Sequence, residues 1–385
     1  VGTGEGGVEN GSIRPSDGRR HRGTEAVMTA DQPFVKLADP STYVACSWDL
    51  SRDAEGREHW VSFFKRHLET ILKLATEAVH VRAGDLADAG RRGDACRAEF
   101  HRVFDAFAGD PHGAGKQGAD RVTILVLDTW RDAILRRHGF VDAFIDLKDR
   151  ENGAALPMLA EVCRQMDACS TEAEQLRAAI EGVFAGNIFD MGAEATAKAF
   201  LSGGPDFFAT RKSLAPRPWL IDDYDALAHR LLSGPRHRKA VYFIDNAGSD
   251  FILGATPLIR WLAQRGTAVV IAANERPTLN DMTIHDVDRW WPKIRAAAPS
   301  LDGLPISMVS TGTGEPLIDL LGVSADLNAA AADADLVILE GMGRGVESNL
   351  DAAFNCDTVN LAMIKDHIIA RRNGGKMYDV VCRFR

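Results

Sequence analysis

The sequence predicts an α/β protein whose second half is a mostly parallel sheet covered on both faces, preceded by a helical layer. After Gly234, short continuous apolar runs alternate with helix-like patterns, the rhythm of strands buried on both sides. Before it, apolar residues recur at three- and four-residue steps, as helices with one buried face require. The strand-like runs also end in polar or glycine-rich segments. In open α/β sheets ligands bind outside the carboxyl ends of strands, so that rim is where chemistry is expected.

The chain has 385 residues, 45% hydrophobic and 26% charged, with a formal net charge of −9. Such a balance suits an ordinary globular protein and argues against a surface that neutralises nucleic-acid phosphates. No apolar run reaches membrane-spanning length, so no membrane partner is expected. Six scattered cysteines show no CxxC and no zinc spacing, which reads as free thiols in a reducing cytoplasm.

In chain order, residues 1–33 are rich in Gly, Ser, Arg and Glu, lack an apolar h-region, and read as a disordered leader. A mainly helical subdomain is expected over residues 34–215 and an α/β domain over 216–385. Trp60, Phe63, Phe64, Leu68, Ile71, Leu72, Ala75 and Val79 mark a first helix face. Phe100, Val103, Phe104 and Phe107 mark a second. Residues 122–137 open as VTILVL and could pass for a strand; their length, with Trp130 and Ile134, favours helix. Further helices are expected over 156–166 and 172–183, their apolar residues being core. AGNIFDMG (185–192) reads as a helix-start turn with Asn187 and Asp190 as caps. RPWLIDDYD (217–225) reads as an entry strand or turn leading to an acidic helix start.

Strands are expected over residues 239–244, 267–273, 306–309, 336–339 and 377–384. The first stops at Asp245-Asn246 and is followed by a permissive Ala247-Gly248 and a helix to Arg265, which Gly266 ends. The second breaks at Asn274.

On the rim, Asp245, Asn246 and Asp281 form an all-oxygen set. Asp245-Asn246 alone is a turn, and Asp281 alone is a cap for a helix over 287–294. At neighbouring strand ends of one sheet, together, they suit a hard or borderline divalent ion such as Mg²⁺ or Mn²⁺. The EGMGR segment, Glu340, Gly341, Met342, Gly343 and Arg344, has glycines that admit an anion to backbone amides and an arginine for phosphate oxygens. Lys365 offers a second cation. The bland readings are a tight turn and a solvated charge. Taken together, these parts suggest phosphoryl chemistry. Of the acids nearby, Asp250 or Asp281 could take a proton from water. No GxxxxGK[ST], GxSxG or GxGxxG after the first strand occurs. The position two residues after Asp245 is Ala247, so a covalent aspartyl-phosphate is not indicated.

Several stretches, among them FIDNAGSDFILGATPLIRWLAQRGTAVVIAANERPTLNDMT, STGTGEPLIDL, DADLVILEGMGRGVESNL and GGKMYDVVCRF, resemble the damage-control metal-dependent phosphatases. The resemblance runs from about residue 40 to the C-terminus and takes in CSWDL (46–50), GNIFD and RPWLIDD. It is to the branch that carries EGMGR and also occurs fused to pantothenate-kinase-like proteins. It implies a Rossmann-like three-layer αβα domain with an N-terminal helical subdomain and the active site between them. Asp245, Asn246 and Asp281 would be metal ligands, and Glu340 to Arg344 with Lys365 would contact the substrate phosphate. Asn187 and Asp190 would be rim residues from the helical side. The implied substrate is a small phosphate ester, 4′-phosphopantetheine or its oxidised or sulfonated forms in the coenzyme A pathway, with Co²⁺, Ni²⁺ or Mn²⁺ as the activating ion beside the Mg²⁺ or Mn²⁺ that the oxygen set suits. Sister branches act on sugar phosphates and carry an Arg-Thr-Lys signature not found in this chain. A distant branch has been linked to S-adenosylmethionine-dependent carboxyl methyl transfer, against which the missing glycine-rich loop counts.

Overall fold

The computed structural model of the chain describes residues 1–2, 32–83, 86–188 and 207–385. Most of the leader and Asp190 lie outside those residues. The helical half contains α1 (Ala54–Ala83), α2 (Leu86–Gly109), α3 (Ile124–Arg137), α4 (Ile145–Ala155), α5 (Leu159–Asp167), α6 (Glu172–Asn187) and α7 (Phe207–Lys212). Then follow β1 (Ile221–Asp222), α8 (Tyr224–Ser233), β2 (Lys239–Phe243), α9 (Thr256–Gln264), β3 (Ala268–Ala273) and α10 (Ile284–Ala297). The chain closes with β4 (Ile306–Ser310), α11 (Ala325–Ala331), β5 (Leu336–Glu340), β6 (Asp357–Met363), α12 (His367–Arg372) and β7 (Val380–Phe384).

The strands form one seven-stranded sheet in the order β1-β7-β6-β5-β2-β3-β4. All neighbours are parallel except β6 and β7. Side chains alternate across it as a pleated strand requires. Ala240, Tyr242 and Ile244 pack with α5, α6, α8, α9 and α10 on one face. Val241 and Phe243 pack with α11 and Phe34 on the other. A third apolar cluster joins α1, α2 and α3 to Ala362 of β6 and Val381 of β7, so the long helices cover one end of the sheet.

Several local expectations are met for visible reasons. Residues 124–137 are helical because Thr123, in extended conformation, accepts from Val126 N at its N-cap. Gly266, at φ +93, closes α9 with both bonds of a Schellman motif, Thr267 N to Leu262 O at 3.2 Å and Gly266 N to Ala263 O at 3.0 Å.

Others differ. Asn187 does not begin a helix: it is the last residue of α6, which starts with a Thr171–Glu174 capping box. The cap of α10 is Thr283, not Asp281. β6 was not anticipated, because Asn360 interrupts its apolar pattern; the amide is satisfied inside the fold by donating to Gly345 O at 2.8 Å. The helix after β2 begins with a wide π-helical turn, Asp250–Ala255, and a second one, Gly343–Ser348, follows β5. In each, a hydroxyl donates to the carbonyl five residues before it: Thr256 to Phe251 O at 2.8 Å and Ser348 to Gly343 O at 2.7 Å. Wide turns of this kind recur at functional sites, and these two lie on adjacent strands at the same rim.

Candidate active site

Strand β2 delivers Asp245 and Asn246 to the rim, and the loop after β3 is zipped against them by backbone bonds. Ala247 N donates to Asn280 O at 2.9 Å and Met282 N to Asp245 O at 3.0 Å. An antiparallel bridge therefore sets Asn246 opposite Asp281. All three side chains are buried.

Arg344, on the wide turn after β5, reaches both carboxylates: Asp245 closely, and Asp281 Oδ2 at 2.6 Å. It also donates to Asn274 Oδ1 at 3.1 Å. Asn187 at the end of α6 is fully buried and donates to Asp245 Oδ2 at 3.1 Å and Asp250 Oδ2 at 2.9 Å. Its carbonyl accepts from Lys365 Nζ at 2.9 Å. Asn246 Nδ2 donates to the same two carboxylates, each at 2.9 Å, so its Oδ1 takes no part in these bonds. Gly341, at φ +92, lets the chain turn directly against Asp245, and a Cβ there would overlap that carboxylate.

The electrostatics are those of too many acids in one dry place. Burial pushes the Asp245 carboxyl well above its usual range; Arg344 opposes this, and Asp281 and Asp250 add to it. Glu340, fully buried, is pushed well above its range by burial and then by the charges of Asp250 and Asp245. Asp250 is raised by burial, with Lys365 and the Asn187 bond pulling it back. Arg344 stays cationic because Asp281 and Asp245 outweigh the cost of burying it. Four carboxyls thus share Arg344 and Lys365, and further positive charge would be favourable there. The donor set is all oxygen, from two carboxylates and an amide, and fits a hard or borderline divalent ion.

A cavity of about 400 Å³ opens in front of this cluster, within the range of small-molecule sites. Asp245, Asn246, Asp281, Met342, Gly343 and Lys365 line it. Glu340, Gly341, Arg344 and Asn187 are not on its wall; they stand behind, holding the carboxylates. Of the EGMGR segment, then, only Met342 and Gly343 face the cavity.

The opposite wall comes from the helical half. His59, Trp60, Phe63 and Phe64 of α1 line it, with Ile124, Asp128 and Arg131 of α3. Their helical spacing reads as core, and Trp60 and Phe64 are indeed buried; nothing local in the sequence marks them as wall residues. Arg131 is fully engaged, bonding Asp128, Asp132 and Thr278. Burial, opposed by Arg131 and reinforced by Asp132 and Asp281, pushes Asp128 up to about 7. Glu347, on the wide turn after β5, is a further acid on the wall.

A sheet covered by helices on both faces, with an acid–amide cluster at its carboxyl rim facing a pocket walled by helices, is the architecture of a Rossmann-like α/β enzyme. The sequence profile of the damage-control phosphatase ARMT1-like domain matches residues 65–381. The chain belongs to that family. It is 34% identical to a damage-control phosphatase of Arabidopsis thaliana, over 91% of this chain and 96% of the relative. Proteins named pantothenate kinase 2, from Arabidopsis thaliana, and 4′-phosphopantetheine phosphatase, from Mus musculus, are 37% and 30% identical. Those matches cover 91% and 92% of this chain but only 41% and 49% of the relatives, so the chain spans less than half of their length. In fold it is similar to a crystal structure of a DUF89 family protein from Pyrococcus horikoshii, with TM-score 0.59 and 19% identity, covering 84% of this chain and 96% of that one.

Proposed function

We propose that the protein hydrolyses a small phosphomonoester, 4′-phosphopantetheine or an oxidised or otherwise damaged form of it, with Asp245, Asn246 and Asp281 holding a divalent ion. The observation that carries this reading is the two-sided cavity. One wall offers Lys365 beside the acid–amide cluster, and the other sets the apolar surfaces of Trp60, Phe63, Phe64 and Ile124 beside His59, Asp128 and Arg131. That division suits a phosphate joined to a long, partly apolar alcohol. The name of the mouse relative, at 30% identity, supports the same choice.

In this reading the helical half, 34–215, is the roof and the α/β half, 216–385, the floor. When bound, an ion such as Mn²⁺, Co²⁺, Ni²⁺ or Mg²⁺ supplies Lewis acidity toward the phosphate and lowers the pKa of a coordinated water. Lys365 fixes the phosphate oxygens. Arg344 and Asn187 keep the Asp245 and Asp281 carboxylates in place, and Gly341 admits Asp245. Burial keeps bulk water from competing for the phosphate. A cytoplasmic location belongs to this reading, and six free cysteines suit a reducing compartment.

The test is phosphate release from 4′-phosphopantetheine by metal-stripped protein, with each of the four ions restored in turn, beside Asp245→Ala. Metal-restored turnover that the substitution abolishes supports the reading. Turnover confined to a sugar phosphate would move the substrate to that class. No release from any ester with any ion would overturn it.

A further inference from the structure

On the same cavity wall, but made of different atoms, His59, Asp366 and His367 come together. One ligand atom from each lies within 4.8 Å of the others. His59 is on the first turns of α1, and Asp366 and His367 sit where β6 passes into α12. We propose that these three side chains form a second divalent-metal site, selective for borderline ions such as Ni²⁺, Co²⁺ or Zn²⁺, which ties α1 to α12 at the cavity.

Geometry is the first support. His59 Nε2 and Asp366 Oδ2 are 2.9 Å apart. Two ligands bound at about 2.0–2.2 Å on adjacent positions of one ion lie about 3 Å from each other, so this pair needs little movement to share an ion. His367 is exposed, and its ring lies edge-on to that of His59 with centroids 4.7 Å apart. One of its ring nitrogens already lies within 4.8 Å of the ligand atoms of the pair.

Orientation is the second. The other oxygen of Asp366, Oδ1, accepts from Ile368 N at 2.8 Å and Ile369 N at 3.1 Å, as the N-cap of α12. Those bonds fix the carboxylate and turn Oδ2 toward His59, as an outer shell does for a metal ligand. Although burial opposes it, the His59 bond and the two amides hold Asp366 below its usual range, hence ionised.

Donor chemistry decides the ion. Two imidazoles and one carboxylate favour Zn²⁺, Ni²⁺ and Co²⁺ over Mg²⁺, whereas the oxygen-only set of Asp245, Asn246 and Asp281 favours the harder ions. A His59–Asp366 pair acting merely as a helix tie would need no His367. Its side chain makes no hydrogen bond among the described residues, and its place beside the pair is what an ion would use.

The experiment counts cobalt. Metal-stripped, tag-free full-length protein is titrated with Co²⁺, with bound ion measured by elemental analysis and its visible absorption recorded. Two ions per chain are expected, falling to one in Asp245→Asn and to one in His59→Gln/His367→Ala, with the imidazole-dependent absorption lost only in the latter. Mg²⁺ should leave the histidine site free. Because His59 packs beside Trp60, the exposed His367→Ala carries the test if the double variant does not fold; it should weaken one of the two Co²⁺ sites by 10-fold or more. Cobalt binding of unchanged number and affinity in His367→Ala would overturn the proposal. Phosphate release plays no part in the readout, so failure here is separate from failure of the hydrolase reading.

Discussion

Gly341 and Asp245 are in direct apposition: at φ +92 the backbone of Gly341 passes so close to the Asp245 carboxylate that a Cβ would overlap it. Gly341→Ala should therefore push Asp245 away from Asn246 and Asp281. A shift of about 1 Å in a catalytic group costs about 100-fold in rate, and that loss is expected in metal-dependent phosphate release. The fold should survive with a penalty of about 1–3 kcal/mol. Full activity in a folded Gly341→Ala protein would show that Asp245 does not need its observed position.

Arg344 is the resident counter-charge of Asp245 and Asp281. Removing one partner of a buried ion pair costs about 3–5 kcal/mol, so Arg344→Met in chelator should melt well below the parent. A divalent ion replaces the missing charge, and at 100 times its Kd binding returns about 2.7 kcal/mol. Mn²⁺ should thus raise the melting temperature of the variant more than that of the parent. Equal stability of the two proteins in chelator would refute the role given to Arg344.

Lys148 shows the same physics away from the cavity. It is fully buried and bridges Asp142 at 3.0 Å and Asp286 at 2.6 Å. Lys148→Met should cost about 3–5 kcal/mol in chemical denaturation while leaving kcat of the folded protein near that of the parent. Burial raises Asp286, but the Lys148 charge and the Lys148 and Thr283 bonds win and lower it. A lowered carboxylate adds stability above its unfolded value of 3.8 and loses it as pH falls through the folded value. The acid limb of parent stability should accordingly flatten in Asp286→Asn, and an unchanged limb would contradict the assignment.

Asp128 should act in the opposite direction. Its folded carboxyl is pushed up to about 7 from 3.8, mainly by burial. Between those values the native state holds a proton that the unfolded chain has lost, so stability falls as pH rises through the interval and levels off above it. Denaturation midpoints measured between about pH 5 and about pH 8 should drop in the parent and drop less in Asp128→Asn. An equal slope in both would show that Asp128 is ionised throughout.

Much of the candidate site was legible because its signals are local. Asp245-Asn246 follows directly on an apolar strand, and a run of five or six such residues announces its own end. Asp281, expected at a neighbouring strand end, lies in the loop after β3 opposite Asn246, and Thr283 takes the cap of α10 that Asp281 could have filled. Asn187 was misread as a helix start, since Asn beside Gly serves either end of a helix, and α6 ends there. β6 was hidden by Asn360, whose amide is satisfied by a carbonyl fifteen residues earlier.

The sequence by itself determined the alternation of strand and helix, the composition of the helical half, and the oxygen-bearing residues at the rim, because hydrophobic period and turn chemistry act over a few residues. Only the tertiary structure decided which strands are neighbours, and with them that Arg344 closes on an aspartate 99 residues away. The same holds for the faces of α1 and α3 that wall the cavity, and for the meeting of His59 with Asp366. Those are packing outcomes, set by how whole layers bury their apolar faces, and no local pattern encodes them.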